Sequence, residues 1–235
     1  MFLVNFFLSR PSVYTLPGTW EKQPLIKHGN YAGSSKFGGV LALAGDDHGA
    51  KSSTTAHQSD HAFIHFGMPI LNPSTVQDYI DFGLKGIAMS RYSGCWVGMK
   101  CVTDTVESAA SVDISLERFK PNLPPASDNL EEVHLQWGFI PAASETRLFQ
   151  SKLPAAKEFA KHNSIDRVIF QGKKKLAIIT SGKAYLDVRQ ALDELGLTEK
   201  KCKEIGISLY KVGMVWPLEP DNILDFVDGH NEVLV

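Results

Sequence analysis

The feature that most constrains the fold is the run Gly39-Val-Leu-Ala-Leu-Ala-Gly45, followed at once by Asp46-Asp47-His48. The run is too short for a helix and has no alternating polar face. An apolar stretch of this kind, closed by glycine on both sides, reads as a strand buried on both faces. Strands buried on both faces belong to parallel sheets, whose crossovers place helices above and below. Neighbouring segments supply the rest of such a unit. Met68-Pro-Ile-Leu71 reads as a second short strand, and Asn72-Pro73 as the start of a helix, with Asn as the cap and Pro at the first helical position. Val76, Tyr79, Ile80, Gly83, Leu84 and Ile87 fall at helical spacing on one face, and residues 95–102 read as a third strand. Strand, helix, strand is a crossover unit.

A second block follows the same logic. Leu176-Ala-Ile-Ile-Thr180 reads as a buried strand, and Tyr185, Val188, Leu192 and Leu195 form the apolar face of a helix ended at Gly196. A short helix is expected at 198–205, a strand at 207–212, a break at Trp216-Pro217, a helix at 220–227, and a strand opening at 232. Between the blocks, Pro121, Pro124, Pro125 and Pro141 mark a connection, with an isolated strand at Val133-His-Leu-Gln-Trp137. A helix over 144–163 should be kinked or interrupted by Pro154. Residues 1–35 read as irregular, punctuated by Pro11, Pro17 and Pro24. The fold class is therefore α/β, divided into an irregular lead-in (1–35), a first unit (36–115), a connection with a helix (116–169) and a second unit (170–235).

Composition removes several function classes. The formal net charge is −2 and no long basic stripe is present, so nucleic acid is not an expected partner. Lys173-Lys174-Lys175 reads as a solvated turn. The apolar start, residues 1–8, is far short of the about 20 residues that cross a bilayer, and it lacks the basic region of a signal peptide. The expected location is cytoplasmic, with no membrane partner. Cys95, Cys101 and Cys202 are too few for a disulfide framework. Cys95 and Cys101 would share one face of a strand, and two thiols cannot hold a four-iron cluster, so buried structural thiols are the expectation.

Ligands of open α/β sheets bind at the carboxyl ends of the strands. Residues 46–61, at such an end, concentrate carboxylates, imidazoles, hydroxyls and an ammonium. Asp47, His48, Lys51, Ser52, Ser53 and His57 are therefore the candidate substrate- or cofactor-binding residues. His48, Lys51, Ser52 and Ser53 are the types that hold a carboxylate ligand; the alternative is a polar loop whose Asp and Ser side chains cap a turn. One of the adjacent Asp46 and Asp47 could orient His48. His57 and His61 would share a helix face, as metal ligands can, but no third ligand has an evident spacing, so no metal site is assigned. Ser181-Gly182-Lys183 opens a helix, where an ordinary cap outweighs a phosphate site. Arg91, Gly94, Trp96 and Gly98 could line an aromatic pocket, although packing is the expected role. No residue is assigned a catalytic role.

Several long, collinear stretches resemble the indolepyruvate ferredoxin oxidoreductase family. They are Gly39-Val-Leu-Ala-Leu-Ala-Gly-Asp-Asp-His-Gly-Ala-Lys-Ser-Ser-Thr54; Leu71-Asn-Pro73 with Val76-Gln77; Met89-Ser-Arg-Tyr-Ser-Gly-Cys-Trp-Val-Gly-Met-Lys-Cys101; Asp104-Thr-Val-Glu-Ser108; Thr180-Ser-Gly-Lys-Ala-Tyr-Leu-Asp-Val-Arg-Gln-Ala-Leu192; and Leu209-Tyr-Lys-Val-Gly-Met-Val-Trp-Pro-Leu-Glu-Pro220. The resemblance runs from about His28 to Val235. It implies that residues 36–115 are the later part of a parallel-sheet, thiamine-diphosphate-fold (pyrimidine-binding) domain, and that residues 170–235 begin a transketolase-C-terminal-like α/β domain. It further implies oxidative decarboxylation of indolepyruvate or related 2-oxoacids to acyl-coenzyme A, with ferredoxin as electron acceptor. The cofactors of the full-length enzyme would be thiamine diphosphate with magnesium and 4Fe-4S clusters. Its partners would be the 2-oxoacid substrate, ferredoxin, coenzyme A and further domains or subunits of the same enzyme, in a homo-oligomer.

The departures bear on activity. The family's activating glutamate lies upstream of the matching region, and residues 1–27 offer no equivalent. The Gly-Asp-Gly motif with a downstream Asn, which holds magnesium and diphosphate, is not found, and Gly45-Asp46-Asp47 is a different motif. The cysteine-rich cluster segments are not found either. The chain is therefore expected to be an internal piece that holds none of these cofactors alone and is inactive by itself; the alternatives are a non-catalytic truncated fragment and a stand-alone binding module.

Overall fold

A computed structural model describes residues 12–15, 23–51, 53–115, 120–125, 133–135 and 140–235. Two α/β layers make up the described chain. The first is a five-stranded sheet in the order β1-β2-β4-β3-β8. Strands β1 (Ser12–Thr15), β2 (Val40–Asp46), β4 (Val97–Val102) and β3 (Ile70–Leu71) run parallel. Strand β8 (Met214–Trp216) closes the edge antiparallel to β3. The two-residue period of β2 explains why the run Val-Leu-Ala-Leu-Ala is apolar throughout. Leu41 and Leu43 face helices α3 (Val76–Ser93) and α6 (Leu153–His162), in a core with Leu71, Phe82, Met89 and Phe159. Ala42 and Ala44 face the opposite side, where α1 (Gln23–Ala32) and α2 (Asp60–Phe66) bring Ile26, Phe63 and Phe66 against Trp96. Gly98 is needed on that side, because a Cβ there would lie 2.9 Å from the Phe63 ring.

The second sheet has the order β5-β7-β6-β9. Strands β6 (Leu176–Ser181), β7 (Ile207–Val212) and β9 (Glu232–Leu234) are parallel, and β5 (Arg167–Phe170) is antiparallel to β7. Helices α7 (Gly182–Glu194) and α8 (Glu199–Ile205) cover one face over Phe170, Ile178, Leu192, Cys202 and Leu209. Helix α9 (Pro220–Val227) covers the other, with Phe226 on Tyr210 and Val212.

Several expectations need correction. The lead-in is not wholly irregular: it contributes β1 and the ten-residue α1. Asn72 does not cap α3; it remains extended at the end of β3 and donates its N–H to Gly213 O at 2.8 Å. Thr75 is the cap, in a reciprocal box with Asp78. The buried face of α3 is rotated accordingly, to Asp78, Phe82, Gly86 and Met89, and Leu84 is exposed. Residues 133–135 are not in a strand; 136 and 137 lie outside the described residues. The interruption expected at Pro154 is present. Helix α5 (Pro141–Arg147) passes into a π-helical turn at Leu148–Lys152, and Pro154 sits in the first turn of α6, where its missing N–H costs least. Strand β8, from the second half of the sequence, pairs in the first sheet. The cysteines are free, with Cys95 and Cys202 buried and Cys101 half-buried.

Candidate strand-edge site

Strands β2 and β4 are neighbours, with Asp46 beside Val102 at their carboxyl ends. The Asp46 side chain is completely buried and neither of its oxygens makes a hydrogen bond. Its charge is met ionically. Lys100 of β4, itself buried, places Nζ 3.6 Å from Asp46 Oδ2 and 2.6 Å from Asp60 Oδ2 at the start of α2. His48 Nε2 approaches the same Asp46 oxygen at 3.7 Å. A carboxylate and an ammonium can remain ionised away from water only in such company. The thiol and phenol nearby both have raised pKa values. Burial, and then the Asp46 charge, push Cys101 up to about 11. Burial pushes Tyr79 up to about 12, with the hydrogen bond to Thr105 opposing.

Above this floor lies the loop. Asp47 organises it. Its Oδ1 accepts the Lys51 N–H at 3.0 Å and its Oδ2 the Ser53 N–H at 2.9 Å, while its backbone pairs with that of His57. Ala50 turns the chain in the left-handed region, at φ 50°. The Lys51 ammonium is bonded to Asp104 on α4 (Thr103–Val106), which holds that carboxyl below its usual range. Thr103 Oγ1 donates to Asp46 O at 3.1 Å and ties α4 to the strand end.

The structure therefore gathers Asp47, His48, Lys51, Ser53 and His57 into one loop over the strand edge. Within it, Asp47 shapes the turn, while His48, Lys51, Ser53 and His57 are on the surface. Ser52 lies outside the described residues. His48 does sit against Asp46. His57 precedes α2 while His61 is inside it, so the two do not share a helix face. Sequence reasoning missed Lys100, Asp60 and Asp104. The signal for the first was present: a lysine inside Val-Gly-Met-Lys-Cys-Val needs an internal counter-charge. Asp46, His48 and Asp60 could bring ligand atoms within 4.8 Å of one another, but the Lys100 ammonium already contacts both carboxylates and supplies the positive charge.

The remaining candidates have structural partners. Arg91 Nε donates to Gly38 O at 2.9 Å, Trp96 Nε1 to Gly33 O at 3.4 Å, and a Cβ on Gly94 would meet Val133 O at 1.9 Å. Lys183 pairs with Asp187 one turn along α7, at 2.5 Å. Ser181 Oγ accepts from Asn72 Nδ2 at 3.4 Å, and a Cβ on Gly182 would strike the Asn72 side chain at 2.5 Å, so this helix start is packed against the end of β3.

A largely parallel α/β layer with one antiparallel edge strand and a charged loop over its carboxyl edge, followed by a second α/β layer, defines the class. Comparison with known proteins extends it. Residues 165–235 match the family described as the indolepyruvate ferredoxin oxidoreductase middle domain. The chain is 24% identical over 202 residues to the indolepyruvate oxidoreductase subunit IorA of Methanothermobacter thermautotrophicus, and equally to that of Methanothermobacter marburgensis. Each match covers 84% of this chain and 30% of the relative, so the chain spans under a third of the length of these relatives. Among solved structures, the 2-oxoglutarate:ferredoxin oxidoreductase of Magnetococcus marinus, determined with 2-oxoglutarate, coenzyme A and succinyl-CoA, shares the fold. Its TM-score is 0.53 at 16% identity, over 95% of this chain and 45% of that one. These findings support the sequence reading: residues 165–235 match the indolepyruvate ferredoxin oxidoreductase middle domain, and the chain is similar to indolepyruvate oxidoreductase subunits over most of its length. Among the described residues, no helix is long and apolar enough to cross a membrane.

Proposed function

We propose that this chain forms the pyrimidine-binding side and the adjoining middle domain of a thiamine-diphosphate-dependent oxidoreductase. That enzyme oxidatively decarboxylates indolepyruvate or a related 2-oxoacid to the acyl-coenzyme A, passing electrons through 4Fe-4S clusters to ferredoxin. The observation that carries the reading is the loop 46–61, anchored by the Asp46–Lys100–Asp60 cluster, with Asp46 and Lys100 buried, at the edge of parallel strands β2 and β4. His48, Lys51 and Ser53 on its surface are the groups offered to substrate or cofactor.

The cofactor fits these residues in part. The His48 ring nitrogens and the Ser53 hydroxyl, exposed on the loop, are donors and acceptors of the kind an aminopyrimidine ring can pair with. The diphosphate with magnesium does not fit: the carboxylates that could take the metal are engaged, Asp60 by Lys100, Asp104 by Lys51, and Asp47 by the N–H groups of Lys51 and Ser53. That half of the cofactor belongs to another part of the enzyme. When bound, thiamine diphosphate supplies the carbanion that attacks the keto carbon. The residues here orient and enclose.

Calorimetric titration of the 235-residue chain with thiamine diphosphate and magnesium tests this. No tight binding is expected for the chain alone, with binding restored by adding a chain of the family that carries the diphosphate-binding domain. Tight binding without that addition would sink the division of labour proposed here; absence of binding in the complemented mixture would leave the stand-alone module as the better reading.

A further inference from the structure

At the strand edge one ammonium serves two carboxylates. Lys100 Nζ lies 2.6 Å from Asp60 Oδ2 but 3.6 Å from Asp46 Oδ2, so Asp60 takes the hydrogen bond and Asp46 the longer contact. The Asp46 side chain is completely buried, and its backbone is pinned by parallel pairing with Val102 and by the Thr103 hydroxyl. It cannot turn to water to complete its shell. A second donor stands beside it: His48, two residues on, with Nε2 3.7 Å from Asp46 Oδ2. The turn that follows His48 is fixed by Asp47, through its side chain and its backbone. An ionised carboxylate only accepts hydrogen bonds, so the ring nitrogen that faces it is the one that carries the proton. A separation of 3.7 Å is longer than a formed hydrogen bond. Contacts of this kind are often long before a ligand binds and tighten with it. The His48 side chain is 45% exposed, which leaves the ring room to move and open to a ligand.

We propose that Asp46 is a positioning residue: it holds the His48 imidazole in the tautomer with the proton on Nε2, so that Nδ1 meets the ligand as an acceptor for an N–H or O–H group. The proposal rests on the reading of the loop as a surface that contacts substrate or cofactor. A neutral imidazole without such a partner exchanges between two tautomers and offers a ligand a mixture of donor and acceptor at each nitrogen. Lys100 and Asp60 are the support. Lys100 keeps the Asp46 charge tolerable away from water, and Asp60 keeps Lys100 in place. The rival role for the contact is plain ion pairing with a protonated ring. That would fix no tautomer, because imidazolium carries a proton on both nitrogens.

The test is nitrogen-15 NMR of the histidine rings in the labelled 235-residue chain, recorded at about pH 9, where an ordinary imidazole is neutral. His61, exposed in α2, is the reference within the same spectrum. The expected result is a single tautomer at His48, with Nε2 protonated and Nδ1 bare, against an exchange-averaged mixture at His61. Asp46→Asn should move His48 toward the mixture, since an amide can donate to the ring as well as accept from it. If that variant loses the fold, Asp46→Asn with Lys100→Met takes its place, and the comparison with His61 needs no variant. A tautomer ratio at His48 equal to that at His61, or unchanged in the folded variant, overturns the proposal. In an enzyme assembled from this chain and the remaining length of a family member, Asp46→Asn should lower kcat/KM roughly tenfold or more and add nothing to His48→Ala. Native activity in Asp46→Asn with His48→Ala impaired overturns the positioning and leaves the reading of the loop standing. Native activity in His48→Ala overturns that reading, and with it the ligand-facing role of Nδ1, whatever the spectrum shows.

Discussion

Asp78 on α3 and Lys211 on β7 form a buried ion pair between the two α/β layers. Asp78 carries other duties as well. Its Oδ1 meets Arg167 at 2.7 Å, and its Oδ2 accepts the Ser74 hydroxyl at 2.6 Å and the N–H groups of Ser74 and Thr75. One carboxylate therefore completes the cap of α3 and fastens that helix to the second sheet. Removing it strands a buried ammonium and breaks the cap. Asp78→Ala is expected to destabilise the chain by roughly 3–5 kcal/mol, the range for breaking one side of a buried pair. Urea denaturation should show it as a lower midpoint, and Asp78→Leu with Lys211→Met should recover part of the loss.

The same group sets an acid limit. Burial raises the Asp78 carboxyl, but Lys211, with the Ser74 bonds, outweighs burial and holds it near about 2, below its ordinary 3.8. The folded value is depressed, so this contribution is complete above the unfolded value and disappears as pH falls through the folded one. It is worth about 2 kcal/mol. Urea midpoints measured from pH 5 to pH 2 should fall more steeply for the native chain than for Asp78→Asn.

Lys152 predicts a change at the other end of the scale. It is buried at the π-helical turn, and its ammonium donates to Asn30 O at 3.0 Å and Tyr31 O at 3.1 Å, closing the carboxyl end of α1. Burial lowers it to about 8, with Cys95 opposing and Arg147 adding. The folded state thus favours the neutral amine, and the penalty of holding the charge, at most about 3 kcal/mol, is present below pH 8 and eases between pH 8 and 10.5. Relative to Lys152→Met, the native chain should gain stability across that window, read from thermal midpoints at each pH.

Lys100→Met should leave Asp46 buried without its ammonium. A loss of about 3–5 kcal/mol is expected at neutral pH. Adding Asp46→Asn should restore much of it, because the orphaned charge is then gone. If instead Lys100→Met melts with the native chain, Lys100 does not hold the floor of the loop.

The parts of this arrangement that were legible in the sequence are those with local causes. The run from Val40 to Gly45 is apolar on both faces because both faces of β2 are covered, and the polar loop begins where cover ends. The interruption at Pro154 follows from ring geometry. The start of α3 was misplaced because Asn72-Pro73 competes with Thr75 and Asp78 three residues later, and only the tertiary bond from Asn72 to Gly213 decides between them. Lys100 could be recognised as needing a partner, but which one depends on β2 lying beside β4 and on where α2 starts. Strand β8 is three residues long and is specified by the edge of β3 rather than by its own pattern.

The central claim is that the loop over the β2–β4 edge contacts substrate or cofactor in a 2-oxoacid oxidoreductase. The most direct measurement is indolepyruvate-dependent ferredoxin reduction by an enzyme assembled from this chain and the remaining length of a family member, comparing the native loop with His48→Ala and Lys51→Ala. The account predicts turnover with the native loop and a loss in kcat/KM of roughly tenfold or more in at least one variant, with the fold unchanged. Native rates in both variants would contradict it.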